Sequence, residues 1–360
     1  TTPSMSNGGG TRSYELAKFL VKKGHEVNMI TTYRTPSKKE KNWIKSDVEG
    51  IKVHWLPLPY SNQMSYNQRI KQFIIFAYKA TLKASNIKTD LIFATSTPLT
   101  ISIPGIFASF KNKVPMVFEV RDLWPKIPIA LKIIKNPFLK LVLNSFEKFI
   151  YNYATSIIAL SPDMKNGIIE KKIKKEKIAV IPNISNLNNY QYDNKIEKYF
   201  RKKRPWLKNY PVLIYAGTFE KINNLEYAVL LAEQLKKQNS KIKILLVGDG
   251  MERKNLISIA KRKKVLNFNL FFENPVTKNE IISYFLSSTI CANFVLDLKE
   301  AWANSANKFF DSLAAGKPIF LNHGGWMKDL VTSNKCGVCM YGKSLELVAR
   351  ELEKFLNDKK

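Results

Sequence analysis

The chain has 360 residues, 45% of them hydrophobic and 12% aromatic, which is enough apolar sequence for two folded domains and too much for a disordered tail. Lysine and arginine number 58 against 29 acidic residues, a formal charge of +29 that points to anionic partners or, alternatively, to a surface in which lysine and asparagine are simply favoured. Zinc-finger spacings and aromatic-glycine RNA motifs are absent, so nucleic acid is not an expected partner, and no run of about 18 apolar residues predicts a membrane span.

The first element is a glycine loop followed by a helix. The stretch NGGGTRSYELAKFLVKKGHEV carries apolar residues at helical spacing, and Gly24 stands where a left-handed C-terminal cap is expected. Free N–H groups and the macrodipole at a helix start favour an anion, typically a phosphate. Gly9, Gly10 and Thr11 are therefore candidate phosphate-binding residues, the alternative being that the glycines form only a loop.

Short apolar runs ending in polar residues follow in the first half of the chain. They read DLIFATS, VPMVFEV, SIIALS and KIAVIPN. Continuous apolar strands separated by helices predict a parallel sheet covered on both faces, and ligands gather at the carboxyl ends of such strands. The polar residues at these ends are Thr95, Ser96, Arg121 and Asp122.

The segment Pro125–Tyr153 interleaves apolar residues with lysines and contains one acid, Glu147. A basic amphipathic segment of this kind can lie in a membrane interface, with its lysines on anionic headgroups. Alternatively, its apolar side packs on the sheet. The segment could both pack on the sheet and bind a membrane if a few apolar side chains, such as Ile129, Leu131 and Phe138, stay exposed.

The pattern of apolar runs restarts after a polar, asparagine-rich stretch. The later runs are VLIYAG, IKILLVGDG, FNLFFEN, TICANFV and KPIFLN. We expect a first domain over residues 1–185, a linker over 186–210, a second domain over 211–343, and a last helix over 344–360 that packs back across the domains. The predicted fold class is α/β, with two doubly wound Rossmann-like domains facing a cleft.

Several stretches in order along nearly the whole chain carry a family resemblance. They are GGGTRSYELAKFLVKKGHEV, FEVRDLWP, IIALSPDM, VIPN, YAGTFEKINNLEYAV, LLVGDGMER and NSANKFFDSLAAGKPI. The chain resembles the family-four retaining glycosyltransferases of the GT-B fold, in particular the bacterial branch that builds O-antigen and capsule, including L-fucosamine transferases. The resemblance implies a nucleotide-sugar donor held mainly by the C-terminal domain and an acceptor held mainly by the N-terminal one.

The resemblance also assigns individual residues. The family's Glu-x7-Glu pair falls at Ala303 and Asp311, so only the second acid is present, shortened to Asp, and it is expected to accept the ribose hydroxyls; an ordinary first-turn carboxylate is the alternative. The loop from Asn274 to Val276 resembles the one whose backbone reads the base. The family usually has a strand before the glycine loop, and that strand would precede Thr1.

Transfer of a sugar from a nucleotide diphosphate requires a metal or fixed cations to neutralise the leaving phosphate. An Asp-x-Asp pair that would hold a metal is absent from the sequence, so metal-independent catalysis is expected. The cations we choose are Lys221, after the turn at Gly217, and Lys308, at the start of the NKFFDSLAAG helix. Backbone donors between Ser305 and Asn307 would assist them.

On the acceptor side, Arg121 could meet a phosphate and Asp122 could orient an acceptor hydroxyl. Glu119, two residues before Arg121 on the same strand face, is expected to pair with it. Without a clear base, the resemblance implies a front-side reaction in which the leaving phosphate takes the acceptor's proton.

Cys336 and Cys339 could be a redox or metal pair, although a structural turn is the preferred interpretation because the chain has three cysteines in all. So few cysteines fit a reducing, cytoplasmic setting. A peripheral location on the inner face of the plasma membrane is a separate expectation, based on the basic segment Pro125–Tyr153. We expect a UDP-linked N-acetylated or deoxy sugar as donor, a lipid-linked saccharide as acceptor, and no cofactor. The alternatives are a nucleotide-sugar epimerase of the same fold and a non-catalytic protein that binds membranes or polyanions.

Overall fold

The computed structural model describes residues 12–33, 36, 42–61, 64–96 and 98–357. The backbone clusters into two compact units. The first comprises the chain as far as Pro182 together with Ala303–Ser305, and the second comprises Asn183–Trp302 together with the chain from Ala306. Candidate residues Gly9, Gly10 and Thr11 lie outside the described residues.

The first unit contains two sheets. Its strands are β1 (Val27–Tyr33), β2 (Ile44–Val48), β3 (Ile51–Pro57), β4 (Ile92–Thr95), β5 (Met116–Val120), β6 (Ser156–Ala159) and β7 (Ile178–Val180). Strands β1 and β3 pair in parallel and β2 runs antiparallel to β3, whereas β4, β5, β6 and β7 are neighbours in that order and all parallel. Its helices are α1 (Arg12–Lys22), α2 (Tyr66–Ala84), α3 (Ser102–Asn112), α4 (Lys126–Ala130), α5 (Pro137–Tyr153) and α6 (Pro162–Ile169).

Side-chain caps fix the starts of these helices. Ser65 and Gln68 form a reciprocal capping box at the start of α2, and the Asn136 side chain accepts from a backbone N–H in the first turn of α5. Each cap satisfies an N–H group that has no partner within the helix. After α1 the chain turns at Gly24, whose φ of 89° confirms the predicted left-handed cap.

The second unit is one doubly wound sheet. Its strands are β8 (Val212–Ala216), β9 (Lys243–Val247), β10 (Leu270–Glu273), β11 (Ile290–Asn293), β12 (Ile319–Leu321) and β13 (Gly337–Cys339), in the spatial order β10-β9-β8-β11-β12-β13 and all parallel. Its helices are α7 (Asn194–Lys202), α8 (Glu226–Lys237), α9 (Arg253–Arg262), α10 (Lys278–Ser287), α11 (Lys299–Trp302), α12 (Asn307–Ala314), α13 (Trp326–Ser333) and α14 (Leu345–Asn357).

Strand β8 shows how both faces of this sheet are covered. Successive side chains of a strand point to opposite faces, so Leu213 and Tyr215 enter one hydrophobic core while Val212 and Ile214 enter the other. All five residues of the strand are buried. Uninterrupted apolar runs of this kind are typical of strands buried on both faces, which is why the sequence predicts this sheet well.

Residues 186–210, predicted as a linker, are an ordered part of the second unit. They contain α7, and the side chains of Tyr190, Phe200 and Leu207 are buried in its core. The last helix, α14, packs on α8 of the same unit through Val348 and Leu352. Within the described ranges, none of the helices combines the length and the apolar character needed to cross a bilayer.

Candidate functional site

The turn after β8 is built from glycine and approached by a lysine. Gly217 has φ +154° and Gly248, after the neighbouring strand β9, has φ +146°. A Cβ added to Gly248 would lie 1.8 Å from the Gly217 carbonyl oxygen, so the two turns touch through backbone alone. A Cβ added to Gly217 would lie 3.3 Å from Lys308 Nζ. The structure therefore brings together two of the predicted residues, Gly217 and Lys308.

The Lys308 ammonium is held in place by an aromatic side chain. Lys308 Nζ donates to Tyr215 Oη at 2.9 Å and lies 4.0 Å from the centre of that ring. Tyr215 Oη in turn donates to the Thr218 carbonyl at 2.9 Å. Burial lowers the pKa of the amine to about 7, because removal from water disfavours the charged form. Near neutral pH the amine is therefore only partly protonated, and an anionic ligand beside it would favour the ammonium form.

Lys221 lies on the same loop as Gly217. It starts a single 3₁₀ turn, Lys221–Asn223, and is exposed. The turn is tied to the loop because the Asn223 side chain donates to the Thr218 carbonyl at 2.9 Å. Lys221 is thus exposed on this loop, whereas the amine of Lys308 is buried beside Gly217.

The start of α12 gathers other predicted residues. Asn307 is its first residue, and Ala306 before it offers no side-chain cap to the first backbone N–H groups. Asp311 is buried one turn later: Oδ1 accepts from Ser185 Oγ and Oδ2 accepts from Lys278 Nζ, each at 2.7 Å. Each carboxylate oxygen has two lone pairs, so one hydrogen bond does not by itself exclude a second. Ser305 is grouped with the first unit.

The predicted base-reading loop follows β10. Asn274 is exposed and its Oδ1 accepts from Arg253 Nη2 at 3.1 Å, while Val276 packs on the core of the unit. Arg253 also donates to the carbonyls of Gly248 and Glu273. This arginine joins the Asn274 loop to the glycine turn, and sequence reasoning missed it although LLVGDGMER was among the matching stretches.

In the first unit, the predicted pairing of Glu119 with Arg121 is wrong. Glu119 is buried in β5, and its Oε2 accepts from Arg12 Nε at 2.7 Å while Oε1 accepts from Thr95 Oγ1 at 2.8 Å. Arg12 also donates to the carbonyls of Ile181 and Pro182. Arg121 instead follows the end of the strand.

Arg121 and Asp122 are both half-buried at the carboxyl end of β5. The backbone N–H of Arg121 donates to Ser96 Oγ at 2.9 Å, which ties this turn to the end of β4. The polar ends of two parallel strands therefore meet, as the sequence predicts.

The segment Pro125–Tyr153 is partly buried and partly exposed. Phe138 is exposed as predicted, but Ile129 and Leu131 are only half-buried rather than exposed tips. Glu147 is buried, its carboxylate lies 2.8 Å from Lys171 Nζ, and burial raises its pKa.

The two cysteines of the CGVC stretch are free and half-buried. Their thiols contact backbone carbonyls: Cys336 contacts that of Val331, and Cys339 that of His323. His323 is itself buried, which lowers its pKa to about 4 and keeps the ring neutral. In the part of the chain that the structure describes, no group of three or more histidine, cysteine or acidic side chains is placed to hold a metal ion.

Comparison with known proteins covers both units. Residues 7–184 match the family model described as Glycosyl transferase 4-like domain, and residues 197–360 match the one described as Glycosyl transferases group 1. WcaI of Escherichia coli K12, named for colanic acid biosynthesis, is 22% identical over 324 residues, covering 86% of this chain and 78% of WcaI. CapM of Staphylococcus aureus is named as a capsular polysaccharide biosynthesis glycosyltransferase. It is 22% identical over 361 residues, covering 95% of this chain and 83% of CapM.

A solved structure is similar as well. The crystal structure of Anabaena HepE in complex with UDP and glucose aligns with a TM-score of 0.65 at 17% identity, covering 86% of this chain and 78% of that one. A likeness at this identity establishes a shared fold.

Proposed function

Because the chain belongs to the family-four glycosyltransferases of the GT-B fold, we propose that it is a retaining enzyme that uses a UDP-linked donor. The acceptor is a lipid-linked saccharide, and the product enters bacterial surface polysaccharide. The names of CapM and WcaI support the polysaccharide, and the UDP bound to HepE supports the nucleotide. The enzyme works in the cytoplasm on the inner face of the plasma membrane, and its donor sugar is N-acetylated or deoxy.

The observation that carries this proposal is the Lys308 ammonium beside Gly217. A diphosphate placed there meets a cation held by Tyr215 and a glycine backbone that leaves room for its oxygens. Lys221 supplies a second cation from the same loop, and the uncapped N–H groups at Asn307 supply backbone donors. These groups stabilise the charge that grows on the leaving phosphate.

The remaining candidate residues take roles around the diphosphate. Asp311 accepts the ribose hydroxyls, with Lys278 and Ser185 fixing the orientation of its carboxylate. The loop Asn274–Val276 reads the base. Ser305 contributes a donor next to α12. In the N-terminal unit, Gly9, Gly10 and Thr11 contact a phosphate of the substrates.

The reaction proceeds on one face of the sugar. The bond from the anomeric carbon to the diphosphate oxygen breaks as the bond to the acceptor oxygen forms, and the acceptor's proton passes to the leaving phosphate. Asp122 orients the acceptor hydroxyl, and Arg121 meets a phosphate of the lipid-linked acceptor. Because fixed ammonium groups neutralise the leaving phosphate, the reaction needs no metal ion.

Replacement of the two lysines tests the proposal. We expect Lys308→Met and Lys221→Ala each to lower turnover by about 10²-fold, the range for loss of one charge-stabilising group. Lys237→Ala, at an exposed position on α8, is the matched control and should leave turnover unchanged. Near-normal turnover in both site variants would refute the assignment of the diphosphate site.

Chelation tests the absence of a metal requirement. Activity should persist at full rate in EDTA, because the diphosphate is neutralised by lysines. Activity that disappears with EDTA and returns with Mn²⁺ or Mg²⁺ would overturn this part of the proposal.

The segment Pro125–Tyr153 brings the enzyme to the lipid-linked acceptor. Phe138 and Leu141 of α5 are exposed beside a lysine-rich turn. Anionic headgroups attract such lysines, each worth about 1 kcal/mol near the surface. Binding to anionic vesicles should therefore fall at high salt. It should also fall when three lysines of the segment, Lys132, Lys135 and Lys140, are changed to glutamate. A protein that ignores anionic vesicles at low salt would contradict this.

A further inference from the structure

Helix α2 exposes an apolar stripe from Ile70 to Leu82. Its members recur every four residues and are 52 to 67% exposed: Ile70, Ile74, Tyr78 and Leu82. Residues four apart lie one above the other on a helix, so these side chains form one continuous strip. The side of α2 that faces the protein holds Ala77 and Ala80, both buried. Single exposed apolar residues are ordinary, but a strip over about three helical turns indicates a binding surface.

Two further helices extend this surface. Helix α3 packs against α2 and exposes Phe107 and Phe110, the latter by 76%. Tyr153 at the end of α5 donates to Ser109 Oγ of α3 at 3.2 Å, so α5 lies beside α3. Strands β4, β5 and β6 are consecutive parallel neighbours, and right-handed crossovers place α3 and α5 on the same face of their sheet. The exposed apolar residues of α5 are Phe138, Leu139, Leu141, Val142 and Phe149.

The charges on this three-helix face have one sign. Helices α2 and α3 contain no acidic residue, and the single acid of α5, Glu147, is buried beside Lys171. The exposed charged side chains of the three helices are Lys71, Lys79, Lys111 and Lys148. Pairing this face with the same face of a second copy would oppose lysine to lysine. An anionic bilayer surface matches it in both apolarity and charge.

The stripe of α2 continues into a groove. Tyr78 and Leu82 line a groove of about 430 Å³ together with Trp43 and Leu56, and Lys79 and Lys83 border it. Lys83 Nζ lies 5.9 Å from the centre of the Trp43 ring. An apolar floor bordered by ammonium groups suits the junction between a lipid phosphate and its hydrocarbon chain.

We propose that α2, α3 and α5 form one membrane-docking face, and that the stripe Ile70–Leu82 of α2 inserts among the acyl chains of an anionic bilayer. The inference deepens the proposed function and rests on it only for the lipid-linked acceptor. It adds the apolar stripe of α2 to the exposed apolar residues of the basic segment Pro125–Tyr153.

A matched pair of tyrosine variants tests this inference. Tyr78→Glu places an acid in the middle of the stripe, whereas Tyr199→Glu places one on α7 of the second unit; both tyrosines are well exposed and each has a lysine nearby. Sedimentation is measured with vesicles of phosphatidylglycerol and phosphatidylcholine and with phosphatidylcholine alone. We expect Tyr78→Glu to weaken binding to the anionic vesicles by about tenfold or more, because burial is lost and a repelled charge is added. Tyr199→Glu should bind as the unchanged chain does.

Two controls accompany the vesicle measurement, and two results would overturn the inference. Equal melting temperatures for the two variants show that folding is intact, and unchanged UDP affinity in Tyr78→Glu shows that the donor site is unaffected. Equal vesicle binding by both variants overturns the inference even if transfer activity is normal. A concentration-dependent dimer that Tyr78→Glu abolishes, without vesicle binding by the unchanged chain, also overturns it and assigns the face to a second copy.

Discussion

Lys308 is a lysine whose charge depends on what is bound beside it. Its amine is buried next to Tyr215, and this burial lowers its pKa to about 7 in the free protein. A bound diphosphate would favour the ammonium form and raise this pKa. Above about pH 7, binding of the diphosphate then takes up a proton from solution. Part of the binding free energy is used to protonate the Lys308 amine.

This coupling predicts a pH dependence of UDP affinity. As the pH rises from 6.5 to 8.5, the free protein loses the Lys308 proton, so affinity should fall by up to about tenfold per unit above the pKa. Calorimetry in buffers of different ionisation enthalpy measures the proton uptake. Lys308→Met should bind more weakly and show no uptake. A flat affinity profile in the unchanged chain would contradict the role of Lys308.

At the scale of an element, α1 is attached to the sheet by a buried ion pair. Arg12 and Glu119 have side chains that are 11% and 1% exposed, and Arg12 also holds two carbonyls after β7. Arg12→Leu should lower the free energy of unfolding of the first unit by about 3 kcal/mol, because Glu119 is left buried and unpaired. Urea unfolding measures the loss.

Helix α1 also carries an exposed ion pair that serves as the control for the buried one. Lys18 and Glu49 form an exposed pair, so Lys18→Leu should cost less than about 1 kcal/mol. Adding Glu119→Leu to Arg12→Leu should restore part of the lost stability, since the uncompensated charge is then removed. If Arg12→Leu and Lys18→Leu lowered the free energy of unfolding equally, the buried ion pair would contribute no more to stability than the exposed one.

The sequence predicts elements better than it predicts their partners. All five predicted strands of the second half are present, because strands buried on both faces leave an unmistakable apolar run. The stretch 186–210 is predicted as a linker because it is rich in asparagine and lysine. Its few large apolar residues, Tyr190, Phe200 and Leu207, are nevertheless buried in the core of the second unit. Contacts between residues far apart in the sequence could not be predicted from it. Lys308 and Tyr215 are 93 positions apart, and only the fold brings them together.

At the scale of the whole molecule, lysines serve both proposed sites, the membrane-docking face and the diphosphate site. The lysines of the docking face are exposed, so salt screens them, whereas the amine of Lys308 is enclosed and is screened much less. The two binding activities should therefore separate when the ionic strength is raised.

We expect binding to anionic vesicles to fall by about tenfold or more between 50 and 500 mM NaCl, while UDP affinity changes by less than about threefold. Sedimentation and calorimetry on one preparation measure both. If UDP binding falls in step with vesicle binding, the nucleotide is held only as a polyanion, and a non-catalytic binding protein becomes the better interpretation.

The contact between Gly217 and Gly248 limits how this protein can be altered. Because any side chain at Gly248 would displace the Gly217 carbonyl, and Gly217 lies against Lys308, a mutant library should recover almost no active clones changed at either glycine. Asn274 is exposed and its side chain accepts a hydrogen bond from Arg253, so it should tolerate many substitutions. Directed evolution toward another nucleotide should therefore diversify the Asn274 loop and leave the glycine turns untouched.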